Sequence, residues 1–238
     1  QWSYVNSPVV PITVTAAMAV QPGDGNGDQR IDAADLETCV QELFDDDGNG
    51  LVDDVHGWDF ANGTNDLTDT AGHGTHVAGT IAAVGNNGVG TVGVCWQAKI
   101  MALKIGDYYV SVDAAISALD YAVQKGARIS NNSWGGYGYS QSLYDAIAAA
   151  GSQGHLVVAA AGNYGMDNDV YPSYPASYDL DNIISVGASD RNDAIAYFSN
   201  YGALSVDLLA PGVSILSTYT GNSYGTLDGT SMASPHVA

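Results

Sequence analysis

Ser231 and His73 are the residues of this 238-residue chain whose settings suit covalent chemistry. Ser231 lies in Asp228-Gly229-Thr230-Ser231-Met232-Ala233-Ser234-Pro235-His236, where glycine and small residues make a sharp turn and Pro235 is tolerated in the first turn of a helix. A hydroxyl at such a start has its own main-chain N–H and a positive terminus beside it, both favourable to developing negative charge. His73 stands in Gly72-His73-Gly74-Thr75-His76-Val77-Ala78-Gly79, ahead of Val77, Ile81 and Val84 at helical spacing. Serine is a weak nucleophile, and an imidazole that removes its proton lets it attack a carbonyl at neutral pH. Asn163 follows the apolar run Val157-Val158-Ala159-Ala160-Ala161-Gly162. Parallel sheets carry their chemistry beyond the carboxyl ends of their strands, so its amide is placed to donate to an oxyanion.

Each candidate also has a plainer reading. Ser231 can be an N-cap, Asn163 a turn residue after glycine, and Trp134 a core side chain. An α/β-hydrolase elbow needs an acid and a histidine after the serine, and only seven residues follow Ser231. His73 and His76 lack the four-residue spacing and intervening glutamate of a zinc protease helix.

The elements that must position these groups form an alternating pattern. Strands are expected at residues 99–105, 128–133, 156–161, 183–188 and 206–210, with covering helices at 111–123 and 141–150 between them. That order predicts βαβ units and a mostly parallel sheet. Residues 9–20 read as strand and 33–44 as helix, bracketed by two Gly/Asp/Asn loops. The expected organisation is an N-terminal region, 1–60, and a core, 61–238.

Taken together, the His73, Asn163 and Ser231 segments resemble the subtilisin-like serine proteases, the subtilases. So do Asp54-Val55-His56-Gly57-Trp58-Asp59-Phe60, Ser130-Asn131-Asn132-Ser133-Trp134-Gly135-Gly136 and Tyr171-Pro172-Ser173-Tyr174-Pro175-Ala176-Ser177-Tyr178. The resemblance implies a three-layer α/β sandwich on a mostly parallel sheet, with an acidic calcium-loop insertion near the N-terminus. It implies endopeptidase chemistry in which Ser231 attacks, His73 moves the proton and Asn163 steadies the oxyanion. Ser133, Trp134 and Gly135 would bind an extended polypeptide by main-chain hydrogen bonds, a mode that predicts broad specificity. The family's triad acid is expected after the first core strand as Asp-Ser-Gly or Asp-Thr-Gly, and neither tripeptide occurs. The sequence-based expectation is a chain incomplete at both ends, the acid lying upstream of residue 1. Without that acid, turnover falls by about 10^4-fold, a magnitude known from triads that include a subtilisin's.

Acidic loops dominate the N-terminal region, where residues 24–54 hold eleven carboxylates against the single base Arg30. Asp24, Asn26, Asp28, Asp32 and Asp35 fall at positions 1, 3, 5, 9 and 12 of a calcium loop, with the Arg30 carbonyl at 7. The loop at residues 24–35 resembles a dockerin-type EF-hand loop, although Gln29 stands where the turn glycine is usual. A second acidic loop, 45–54, offers Asp45, Asp47, Asn49 and Asp53. Asn87, in Gly85-Asn86-Asn87-Gly88-Val89-Gly90-Thr91, corresponds by resemblance to the side-chain ligand of a further calcium loop.

Asp and Glu total 26 against 6 Lys and Arg, a formal net charge of -20, which disfavours nucleic acid. No apolar run is long enough to span a bilayer. The expectation is a monomer acting on polypeptides, secreted by a signal outside this sequence. Cys39 and Cys95 read as buried small residues or as one bridge. Two other readings stand beside the protease: a pseudoprotease that binds peptides without cutting them, and a calcium-dependent docking module built on residues 22–44.

Overall fold

The computed structural model describes residues 12–14, 49–52 and 54–238. Among the described residues seven strands form one parallel sheet: β1 (Ile12–Val14), β2 (Gly57–Asp59), β3 (Ile100–Lys104), β4 (Ile129–Asn132), β5 (Leu156–Ala160), β6 (Ile183–Ser189) and β7 (Leu208–Pro211). Their spatial order is β2-β3-β1-β4-β5-β6-β7, and an antiparallel hairpin of β8 (Ile215–Tyr219) and β9 (Ser223–Leu227) stands apart. The helices are α1 (His73–Ala82), α2 (Val112–Gln124), α3 (Gln141–Ser152) and the short α4 (Thr230–Ala233).

Alternation along the buried strands sorts the helices into two layers. Val157 packs with Leu119 of α2 and with Leu143 and Ile147 of α3, whereas the next residue, Val158, packs with Val186 and with Ala233 of α4. Period-two side chains face opposite sides of a sheet, so α2 and α3 cover one face while α4 lies on the other. Val77, Ala78 and Ile81 of α1 bury themselves against Met232 of α4. The outcome is the three-layer sandwich on a mostly parallel sheet that the sequence predicts.

Local signals explain the helix starts. Ser111 and Ser140 cap α2 and α3 by accepting from the N–H groups of Ala114 and Leu143, at 3.3 Å each. α1 begins differently, with Gly72 as N-cap at φ 79 and the Asp69 carboxylate receiving the free N–H groups from the preceding loop. A side chain at Gly72 would run into the Tyr219 ring, so glycine serves both the backbone turn and the close approach of β8.

Candidate active site

The cleft lies beyond the carboxyl ends of the strands, where the loops after β3, β4 and β5 meet α1 and α4. A cavity of about 570 Å³ is lined by His73, Asp69, Asp107, Tyr108, Ser133, Trp134 and Gly135, among others. A neighbouring compartment of about 280 Å³ is lined by Trp134, Gly135, Gly162, Asn163, Thr230 and Ser231, among others. Trp134 and Gly135 border both, so residues 73, 163 and 231 open onto one continuous surface.

Asn163 is held by its oxygen. Its Oδ1 accepts from the Thr230 N–H at 2.8 Å and from Thr230 Oγ1 at 2.9 Å, which commits the carbonyl end and leaves the NH2 as donor. A Cβ placed on Gly229 would lie 3.6 Å from Asn163 Nδ2 and 3.6 Å from Ser231 N, so the two nitrogens stand close to one point beside Gly229. Two N–H groups beside a serine stabilise a tetrahedral oxyanion when both point at it. Behind Asn163, buried Asn200 accepts from the N–H groups of Tyr164 (2.9 Å) and Met166 (3.1 Å) and donates to Asn168 Oδ1 (2.9 Å). Asn168 in turn donates to Ala161 O at 2.9 Å.

Ser231 sits in the first turn of α4, partly buried, with its Oγ donating to Ser133 O at 3.2 Å. Among the described residues the His73 ring has no hydrogen-bond partner, so the serine–imidazole hydrogen bond is not formed in this conformation. Serine–imidazole contacts commonly tighten only when substrate is bound. Burial pushes the His73 imidazole below its ordinary value, Asp69 pulls it back up, and His76 adds a smaller downward push.

Ser133 does more than line the cleft. Its Oγ donates to Ser231 O at 2.8 Å and receives from Ser234 Oγ (2.8 Å) and Asn131 Nδ2 (2.9 Å), tying the end of β4 to α4. One hydroxyl proton and two lone pairs are thereby all used. Trp134 is partly buried against two core clusters and is also a wall of the cleft. Among the described residues Gly135 has no main-chain hydrogen bond. None of the roles of Thr230, Asn168 and Asn200 is foreseen from sequence; the only available signal is their small polar character beside the motifs.

The expectation of an acid upstream of residue 1 needs correction. Ile12–Val14 already occupies the sheet position between β3 and β4, in register with Ile100 and Ile129. It precedes the histidine helix in chain order as the family's first core strand does, and Thr15-Ala16-Ala17 follow it in sequence where the acid is expected. The first carboxylate after β1 is Asp24.

The calcium assignments fare unevenly. Asp24, Asn26, Asp28, Arg30, Asp32, Asp35, Asp45, Asp47 and Asp53 lie outside the described residues, as do Cys39 and the helix expected at 33–44. Asn49 uses Oδ1 to accept from Leu51 N (2.7 Å) and donates to Asp54 Oδ2 (2.6 Å), an Asx turn that ties the loop to a buried carboxylate. Asn87 is exposed, with Oδ1 accepting from Val89 N at 3.0 Å; its second lone pair is compatible with a cation. Among the described residues no three His, Cys, Asp or Glu side chains form a group able to hold a metal ion. Cys95 is free and exposed, which corrects its reading as a buried residue.

The parallel sheet thus presents Ser231 at a helix start, Asn163 beside it and His73 on the adjoining wall of the cleft. The chain belongs to the Subtilase family, whose sequence profile matches residues 13–238. It is 45% identical over 184 residues to subtilisin BL of Lederbergia lenta, covering 76% of this chain and 66% of that protein. Thermitase of Thermoactinomyces vulgaris is 39% identical over 230 residues, covering 96% of this chain and 78% of that protein. The alkaline protease of Shouchella clausii matches over only 47% of its own length, at 45% identity. A cold-adapted subtilisin-like serine proteinase of known structure superposes with a TM-score of 0.72 at 30% identity, over 96% of this chain and 72% of that one.

Proposed function

We propose that this chain is the catalytic portion of a secreted, calcium-stabilised serine endopeptidase, with an N-terminal acidic region at 1–60 and a peptidase core at 61–238. The observation that carries the reading is the proximity of Asn163 Nδ2 and Ser231 N, each 3.6 Å from one point beside Gly229, on a cleft that His73 also lines. In this reading a polypeptide runs along residues 133–135. Ser231 Oγ attacks the scissile carbonyl as His73 takes its proton, the new oxyanion is received by the two N–H groups, and His73 returns the proton to the leaving amine. Calcium would be held by the carboxylates of residues 24–35 and 45–54 and by Asn87, supplying positive charge that neutralises the self-repelling acidic stretch. Names such as alkaline protease and serine proteinase among the relatives support this class of activity.

A second reading, peptide binding with little or no cleavage, is favoured by one observation: Thr15-Ala16-Ala17 follows β1 where the family acid is expected. Hydrolysis of an unfolded polypeptide such as casein, compared between the chain and its Ser231→Ala variant, separates the two. Slow cleavage that disappears in the variant supports the endopeptidase; peptide binding with cleavage equal to the variant's supports the second reading.

A further inference from the structure

Asp69 is the buried carboxylate at the head of α1, and its two oxygens are clamped over the first helical turn. Oδ1 accepts from the N–H groups of Ala71 (3.0 Å) and Gly72 (2.7 Å), while Oδ2 accepts from the N–H and Oγ1 of Thr75 (2.9 and 2.7 Å). These partners lie on both sides of His73 in the chain, and Asp69 and His73 line the same cavity. Only 5% of Asp69 is exposed, and among the described residues it has no cationic partner. We propose that Asp69 is a positioning residue that supplies, from the head of α1, the negative charge stabilising the His73 imidazolium in a chain with no carboxylate directly after β1. The proposal rests on the Ser231/His73 reading above.

Because both Asp69 oxygens are already occupied by donors, the carboxylate acts through space. It favours the charged ring without fixing which ring nitrogen carries the proton. The direction agrees with the upward pull of Asp69 on a ring that burial otherwise depresses. The other charges around His73 do not replace it. His76, on the same helix, disfavours a second positive charge. Asp107, across the cavity, pairs with Lys104 at 3.2 Å, and Lys104 also meets buried Asp59 at 3.4 Å. Tyr219 on β8 donates its hydroxyl to Ala71 O at 3.2 Å, and Tyr108 and Tyr109 border the cavity.

Asp69→Asn and Thr75→Val separate the charge from the helix cap. The first removes the charge and turns an NH2 toward the Thr75 N–H; the second deletes one cap bond and keeps the charge. Asp69→Ser, which retains a hydroxyl acceptor, is the second neutral variant should the asparagine fail to fold. Two readouts are taken across pH: NMR titration of the His73 ring, and labelling of Ser231 by an alkyl fluorophosphonate. In the labelling the Oγ–P bond forms, fluoride leaves and the hydroxyl proton passes to His73. The expected result is a His73 midpoint moved to lower pH and labelling slowed roughly tenfold in the neutral variants. Thr75→Val should lower thermal stability and leave both readouts in place. An unmoved midpoint in a folded neutral variant would overturn the proposal, as would the same shift in Thr75→Val. Titration requires no turnover, so an unlabelled wild-type chain would count against the Ser231/His73 reading, and an unmoved midpoint against Asp69.

Discussion

Replacing Thr230 by valine should damage the oxyanion site from behind, because the fully buried Thr230 hydroxyl serves two partners at once. It donates to Asn163 Oδ1 at 2.9 Å and accepts from the Gly162 N–H at 3.1 Å. Valine keeps the shape but loses both bonds, each with a net worth of about 1 kcal/mol, and leaves the part-buried Gly162 N–H unpaired at about 1–3 kcal/mol. Because those terms overlap, the expected loss of stability is about 2–4 kcal/mol. The Thr230 N–H still holds Asn163 at 2.8 Å, so the amide keeps one of its two anchors. Loss of one oxyanion donor costs about 10^2–10^3 in rate, so a loosened donor should slow fluorophosphonate labelling of Ser231 by about 10-fold to 100-fold. Thr230→Ser retains the hydroxyl and should label at close to the native rate despite losing a methyl group. Urea unfolding gives the stability change and stopped-time labelling gives the rate. Valine that loses the expected stability yet labels at the native rate would refute the claim that Thr230 aims the Asn163 amide.

Three further outcomes follow from the same geometry. His155 is buried, with Nδ1 donating to Ala127 O and Nε2 accepting from Ser130 Oγ, both at 2.9 Å, and its burial holds the ring below the ordinary imidazole value. A depressed folded-state value means the unfolded chain binds the proton first, so this contribution to stability is present above about pH 6.5 and is lost as pH falls through the folded-state value. The melting temperature should therefore drop on acidification below that point, with a shallower slope in His155→Gln. Gly162→Ala should destabilise the chain by about 2–4 kcal/mol in denaturant, since Gly162 sits at φ 114 and a Cβ would meet the Asn200 amide. Removing divalent cations with chelator should lower the melting temperature, and calcium rather than magnesium should restore it; an unchanged melting curve would count against the acidic loops as calcium sites.

Much of this molecule can be read from local pattern. The strands expected at 99–105 and 156–161 form as Ile100–Lys104 and Leu156–Ala160, and the helix expected at 141–150 forms as Gln141–Ser152. Buried βαβ units write themselves as apolar runs between glycines, which periodicity detects. β2 carries no such signal, being the three residues Gly57–Asp59 with all positions buried, and its strand state comes from pairing with β3. The β8–β9 hairpin is polar on one strand, and its turn depends on the positive φ of Gly221 and Asn222. At the site, His73, Asn163 and Ser231 are legible because each lies in its own short motif. The supports are not, because Thr230 with Asn163, Ser133 with Ser234 and Asn200 with Asn168 are contacts between residues 32 to 101 positions apart. Side-chain pairs at that distance leave no period or spacing in one sequence.

The most direct test of the central claim is a crystal structure of the chain after reaction with a small fluorophosphonate. The account predicts a phosphorus bonded to Ser231 Oγ, with one phosphonyl oxygen about 2.7–3.1 Å from both Asn163 Nδ2 and Ser231 N. An unmodified Ser231, or an adduct whose oxygen points away from both donors, would contradict it.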